Sequence, residues 1–365
     1  MNTLSLDENI TSWTLSDSTN RSEEDWARIQ SYYNLINTFS TVCPAIFGSI
    51  LLLGILGNGM VIYAILANKF LRTCPNMLFL NLAVADLLFL LFCVPLQAAY
   101  YISKYDLILG EGLCKLFKYT IFVTMSVSAY SLMIICVFRC IAVAMPLQAS
   151  RILTKRYSLI ASGLIWLAML LLNSPIALYY SEASGSCTSK YDDKDTIVAI
   201  AVGVDFLLPI TACFVGTGII TVSLRRNQKV FKKMDYETLE KLESCRRSTR
   251  KVVILVVSVA VVFFVCWAPF LSITLYNALP IGDRVDPLTV YVAGVIAQLL
   301  AFSNSCANPI IYNFVSTDFR RGFRRIKQCR LRRGLQRQST NNTTRSDIVL
   351  RERNVSLKLV QSDVK

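Results

Sequence analysis

The sequence contains no histidine. The side chain most used for proton transfer near neutral pH, and the commonest metal ligand, is therefore missing. No nucleophile–base pair or cluster of metal-ligating side chains stands in for it, so an enzyme is not expected. Charge is scarce too: 17% of the 365 residues are Asp, Glu, Lys or Arg, against 54% hydrophobic. The opening MNTLSLDENITSWTLSDSTN lacks the basic and apolar regions of a cleaved signal peptide, which leaves insertion to the first apolar segment. Internal repeats and paired broken helices, the marks of many transporters, are missing as well.

What the chain does have is long apolar runs, each near the ~20 residues that cross a bilayer. They fall at about 43–67, 75–100, 112–144, 157–179, 196–224, 250–279 and 287–314. Backbone groups in hydrocarbon must be satisfied within their own segment, so each run is expected to be a helix. The fold class is thus an all-α membrane protein, a seven-transmembrane helix bundle with its two ends on opposite sides.

Lys and Arg set the orientation. Three connections hold few of them: Lys104, then Lys190 and Lys194, then Arg284. The other side holds Lys69 and Arg72, then Arg151, Lys155 and Arg156, then LRRNQKVFKK, CRRSTRK and FRRGFRRIKQCRLRRG. A plasma-membrane protein with its N-terminus outside and its C-terminus in the cytoplasm is expected. The net charge of +14 could suit nucleic acid. Because the basic residues hug membrane edges, anionic lipid and a cytoplasmic protein are the expected partners, and nucleic acid is not.

Asn9 and Asn20 lie in glycosylation sequons on the outer tail. Of twelve cysteines, Cys114 at the start of the third span and Cys187 in the second outer loop both face an oxidising compartment. A disulfide between them is expected, the alternative being two unpaired thiols. Cys329 follows a basic amphipathic stretch and is either palmitoylated or a free thiol.

Polar residues inside the spans point to function, because burying them in lipid is costly. Asp86 stands in the middle of LNLAVADLLFLLF. The third span offers Thr120, Thr124 and Ser128 at four-residue spacing, and FSNSCANPIIY offers Asn304, Ser305 and Asn308. Gathered round Asp86, these form either an oxygen cage for a small hard cation or a hydrogen-bonded network without one. Asp205 lies one turn before Pro209, where it either meets a cationic ligand group or is hydrogen-bonded internally. Acids in the outer tail and second outer loop (Asp7, Glu8, Asp17, Asp192, Asp193) could steer a basic peptide inward. Kinks are expected at Pro95, Pro175, Pro209, Pro269 and Pro309. In MIICVFRCIAVAMPL, Arg139 closes the third span between Phe138 and Cys140.

In order and spacing, GNGMV, LNLAVAD, Cys114, Arg139, Trp166, Pro209, CWAP and NPIIY resemble the rhodopsin-like (class A) G-protein-coupled receptors over roughly residues 43–330. NLAVADLLFLLFCVPLQAAYYI and CKLFKYTIFVTMSVSAYSLMII look like the neuropeptide receptors of the allatostatin-A and galanin group. Amine receptors carry an aspartate where this chain has Ile121, and opsins a retinal-binding lysine where it has Phe302.

The resemblance implies a role for each matching residue. Asp86, Ser128, Asn304 and Ser305 match a sodium pocket, the one cofactor-like ion expected. Gln97, Ile121, Met125, Asp205, Trp267, Phe270, Thr274 and Gln298 would line the ligand cavity. Trp267 matches a rotamer switch and Phe263 the packing residue below it. Pro269, Asn308, Pro309 and Tyr312 are the hinges, and Arg139 is the residue that meets a heterotrimeric G protein. STDFRRGFRRIKQC corresponds to a short eighth helix, and Ser and Thr in the tail suit arrestin recruitment. The chain then divides into an extracellular tail (1–42), the bundle (43–316), the amphipathic helix (317–330) and a disordered cytoplasmic tail (331–365).

Some positions depart from the family pattern. The acid usually found before the arginine is Phe138, and the tyrosine after it is Cys140. Thr249 and Thr217 replace a second acid and a stabilising tyrosine, and KYDLILG lacks an expected tryptophan. Loss of the acid should raise ligand-free activity, while loss of the tyrosine should lower it. The function expected is a receptor for an extracellular peptide, an amidated neuropeptide, signalling through a G protein. The alternatives are a constitutively active or non-signalling scavenger receptor, and, further off, a transporter.

Overall fold

The computed structural model describes residues 23–145, 149, 153–183, 186–189, 199–231, 236–278 and 285–325, with 24, 25, 144, 183, 186, 188, 189, 224–231, 236–252 and 278 described by backbone alone. Asn9, Asn20, Cys329 and the 331–365 tail lie outside the described residues. The principal helices are α1 (Glu23–Ala67), α2 (Cys74–Ile102), α3 (Glu111–Ala144), α4 (Lys155–Leu172), α5 (Leu208–Phe231), α6 (Tyr236–Ala278), α7 (Pro287–Val315) and α8 (317–325). Seven segments are long and apolar enough to cross a membrane, namely Trp26–Ala67, Cys74–Ile102, Glu111–Val143, Lys155–Tyr179, Ala199–Ser223, Val253–Asn277 and Pro287–Val315.

Local chemistry explains several boundaries. Pro75 sits in the first turn of α2 and Pro287 in that of α7, where a missing N–H is harmless. The Asp286 carboxylate accepts the Thr289 N–H at 3.1 Å and caps α7. Thr154 caps α4 by accepting from the Tyr157 N–H. The α3 segment is the most enclosed of the seven and the α4 segment the least. Leu164, Leu167 and Leu171 on α4, and Leu52, Leu53 and Leu56 on α1, are half or more exposed. A leucine-rich outer face of this kind suits lipid contact.

Two polar threads tie the helices at mid-depth. The Trp166 Nε1–H donates to Asn81 Oδ1 at 2.9 Å, and Asn81 Nδ2 donates to Ser131 Oγ at 2.9 Å, joining α4, α2 and α3. Asn58 Nδ2 donates to the carbonyls of Gly54 (3.0 Å) and Ser305 (2.8 Å), joining α1 to α7. A Cβ added at Gly57 would lie 2.9 Å from Pro309, so only glycine admits this approach of α1 to α7.

The fold departs from expectation in five places. The first helix begins at Glu23 rather than near residue 43, so part of the expected outer tail is helical. Residues such as Glu23, Arg28 and Gln30 are too polar to read as a span, yet Leu35 and Phe39 pack on the core. The α5 and α6 helices run to Phe231 and back to Tyr236, because LRRNQKV and YETLEKLESCRR favour helix without being apolar. Pro175 starts a new six-residue helix, Ser174–Tyr179, instead of kinking an existing one. Pro44, which was not expected to matter, stands inside α1. Finally, a π-helical turn spans Gly203–Leu207 just ahead of α5.

Candidate functional site

The end of the bundle bearing Cys114 carries a hairpin. Strands β1 (Tyr180–Ala183) and β2 (Ser186–Ser189) pair antiparallel, with Glu182 opposite Cys187. Cys187 is disulfide-bonded to Cys114 at the start of α3, with a Cα–Cα distance of 5.5 Å. The Lys118 ammonium lies over the Tyr180 ring at 5.1 Å from its centroid. Burial pushes the Tyr180 phenol up, and the adjacent Tyr179 adds to the shift.

Beside the hairpin, phenols join α2 to α7. The Tyr101 hydroxyl donates to Gln298 Oε1 at 2.8 Å. The Tyr105 and Tyr291 hydroxyls hydrogen-bond to each other. Lys104 and Tyr105 adopt positive φ (55° and 75°), which turns the Tyr105 ring back onto Tyr100 and Tyr101. Burial first, then the neighbouring Tyr101 and Tyr291 phenols, push the Tyr105 hydroxyl up, so it stays protonated at neutral pH. Phe39 and Tyr32 from the unexpected outer turns of α1 pack on Tyr291 at 5.8 and 6.2 Å. This tyrosine cluster was missed in the sequence, although YYI and KYD stand there.

Below lie the residues expected to line a ligand cavity. Gln97, Ile121, Met125, Trp267 and Gln298 are buried, and Phe270 and Thr274 half-buried. Trp267 meets Phe270, Phe89 and Phe263 at ring distances of 5.9, 6.2 and 6.2 Å. Its buried Nε1–H has no hydrogen-bond partner. Phe302 packs edge-on against Phe89 at 4.7 Å.

Asp205 is buried in the π-helical turn ahead of α5. Ser126 on α3 and Asn173 at the end of α4 lie within reach of its carboxylate, although the Ser126 hydroxyl donates to the Phe122 carbonyl at 2.7 Å and Asn173 Nδ2 to the Met169 carbonyl at 3.1 Å. The Tyr130 hydroxyl caps the adjacent Val204 carbonyl at 2.9 Å. The π-helical turn inserts an extra residue into this stretch. Asp205 Oδ1 accepts no hydrogen bond.

At mid-depth Asp86 is buried, accepting from Asn308 Nδ2 at 2.9 Å with Ser305 also in reach. Ser128 and Asn304 are buried too. The Oδ1 atoms of Asn304 and Asn308 have no hydrogen-bond donor. Orphaned amide oxygens near a carboxylate make a donor set that fits a hard cation. Thr120 and Thr124 do not add their protons to it, since they donate to the Leu116 and Thr120 carbonyls of their own helix.

The opposite end holds Arg139. Its Nε is buried without a partner, and the only ion pair among the described residues is Lys115–Glu111. Phe138 packs against the core instead. Nearby, Tyr312 stacks on Phe319 of α8 at 5.2 Å and meets Phe79 of α2 at 4.9 Å, while its buried hydroxyl has no partner. Pro269 and Pro309 stand inside α6 and α7. Of α8 the residues 317–325 are described, and Arg321 and Arg325 stack on Phe70.

Comparison with known proteins agrees with this geometry. A family profile described as "7 transmembrane receptor (rhodopsin family)" matches residues 57–312. The allatostatin-A receptor of Bombyx mori is 33% identical over 294 residues, 80% of each chain. The galanin receptor type 2 of Mus musculus is 32% identical over 316 residues, 82% of this chain and 80% of that one. The galanin receptor type 1 of Homo sapiens is 33% identical over 306 residues, 80% of this chain and 83% of that one.

Proposed function

Because the chain belongs to the rhodopsin family of seven-transmembrane receptors, we propose that it is a receptor for an extracellular neuropeptide of the allatostatin-A or galanin type, signalling through a heterotrimeric G protein. The observation that carries this reading is the likeness to receptors of both names across about four-fifths of each chain. The comparisons lend no support to a non-signalling or transport role.

The peptide would enter at the disulfide end and settle among Gln97, Ile121, Met125, Phe270, Thr274 and Gln298. Trp267 lies beneath, held by ring contacts with its N–H unpaired, so rotating it breaks no hydrogen bond. Phe263 would follow it, and α6 would swing about Pro269. On α7, Asn308 and Pro309 form the inner hinge and Tyr312 has a free hydroxyl to offer a new partner. The swing would uncover Arg139 for the G protein. A bound sodium ion would supply positive charge to balance the carboxylate; Asp86, Ser128, Asn304 and Ser305 would hold it. The receptor would lie in the plasma membrane with its C-terminus in the cytoplasm, and phosphorylated residues of the tail would recruit arrestin.

The test is a panel of amidated neuropeptides applied to cells expressing the chain, read by G-protein dissociation. Saturable dissociation with an allatostatin-A-like or galanin-like peptide is expected. Saturable binding of such a peptide with no dissociation of any G-protein class would contradict the reading.

A further inference from the structure

Among the described residues eight cysteines are free. Three of them meet where α3 crosses α5, one turn from Arg139. The Cys136 thiol donates to the Cys213 carbonyl at 3.5 Å, and the two thiols lie within hydrogen-bonding reach of each other. One turn along, the Cys140 thiol donates to the Gly216 carbonyl at 3.4 Å. A Cβ at Gly216 would fall 2.7 Å from Cys136 Sγ and 3.3 Å from Cys140 Sγ, so glycine brings the α5 backbone against the sulfurs. Cys136 and Cys213 are almost wholly buried. Elsewhere in the bundle Cys74 accepts from Ser158 Oγ at 2.9 Å, and Cys306 donates to the Ile50 carbonyl at 3.2 Å.

We propose that Cys136 and Cys213 are a modification site, converted by hydrogen peroxide into a reversible disulfide that fastens α3 to α5 beside Arg139. Peroxide is small and uncharged and can reach thiols inside a bundle that glutathione cannot enter. The Cys136 sulfur attacks one peroxide oxygen and the O–O bond breaks. The departing hydroxide takes the thiol proton and leaves as water, giving a sulfenic acid. The Cys213 sulfur then attacks the sulfenic sulfur, the S–O bond breaks, and the hydroxide leaves as water with the Cys213 proton. Two thiols lose two electrons and peroxide gains them. Cys140, hydrogen-bonded to Gly216, is the competing partner. The cross-link would restrain the segment carrying Arg139; that consequence rests on the receptor reading, whereas the chemistry does not.

The experiment uses the full chain in phosphatidylcholine nanodiscs, treated with hydrogen peroxide, alkylated, digested and mapped by mass spectrometry. A peptide pair linking Cys136 to Cys213 is expected, with loss of alkylation at both, reversed by dithiothreitol. The pair should persist in Cys140→Ser and vanish in Cys213→Ser. Both thiols remaining alkylatable, both advancing to sulfinic acid unlinked, or Cys136 joining Cys140 instead would overturn the proposal. Mapping the unmutated chain needs no variant to fold, and neither agonist nor G protein enters it. A failed ligand screen therefore leaves its outcome untouched.

Discussion

At one end of the bundle a disulfide anchors a β-hairpin to α3, and hydrogen-bonded tyrosines and Gln298 clasp α2 to α7. At the other, Arg139 has no carboxylate partner among the described residues, and α3 meets α5 through thiols and a glycine. The first end is held by a covalent bond and by hydrogen bonds between side chains. The second combines sulfur–carbonyl contacts and stacked rings, each individually weak, with the Ser158 hydroxyl's bond to the Cys74 carbonyl at 2.8 Å. A preformed cradle needs little reordering when a ligand arrives, whereas an end that must open is best held by contacts that part easily. The polar centre at Asp86 lies between the two.

The largest effect should come from the covalent tie. Replacing Cys114 and Cys187 together by serine is expected to lower stability by about 2–4 kcal/mol, since the bridge closes a long loop. Thermal unfolding in nanodiscs checks this, and an unmoved midpoint would mean that the hairpin holds itself. Next is Asn308→Ala, which removes the amide donor from a buried carboxylate. A loss of about 1–3 kcal/mol is expected, reduced when Asp86→Asn is combined with it. Additive losses would mean that the 2.9 Å contact carries no coupling.

Gly216→Ala probes the weaker end directly. Its Cβ must displace the Cys136 sulfur, so a loss of about 1–2 kcal/mol is expected, with recovery on adding Cys136→Ala. If the pair recovers nothing, α5 is not seated on that sulfur. The smallest effect concerns Phe138→Asp, which sets an acid beside Arg139. A contact worth about 1 kcal/mol would lower ligand-free nucleotide exchange about fivefold. An unchanged basal rate would show that Arg139 is indifferent to a nearby charge.

The seven crossings were legible because lipid demands apolar length, and that demand is written residue by residue. Asp86, Asn308 and Arg139 stood out in the sequence for the opposite reason, each being a residue lipid would otherwise exclude. Trp267 stood out only through the CWAP motif and the resemblance. What escaped depends on backbone detail or on partners distant in the chain. The π-helical turn at Gly203–Leu207, which carries Asp205, leaves no hydropathy mark. The outer turns of α1 are polar, and their packing shows only once Tyr291 of α7 stands beside Tyr32 and Phe39. The thiol cluster needs α3 and α5 crossed in one register, which no local pattern specifies.

The most direct measurement is peptide-driven nucleotide exchange on a purified G protein by the reconstituted chain, native and Arg139→Ala side by side. The account predicts that both bind the peptide with equal affinity and that only the native chain drives exchange. Full exchange by the Arg139→Ala chain would contradict it.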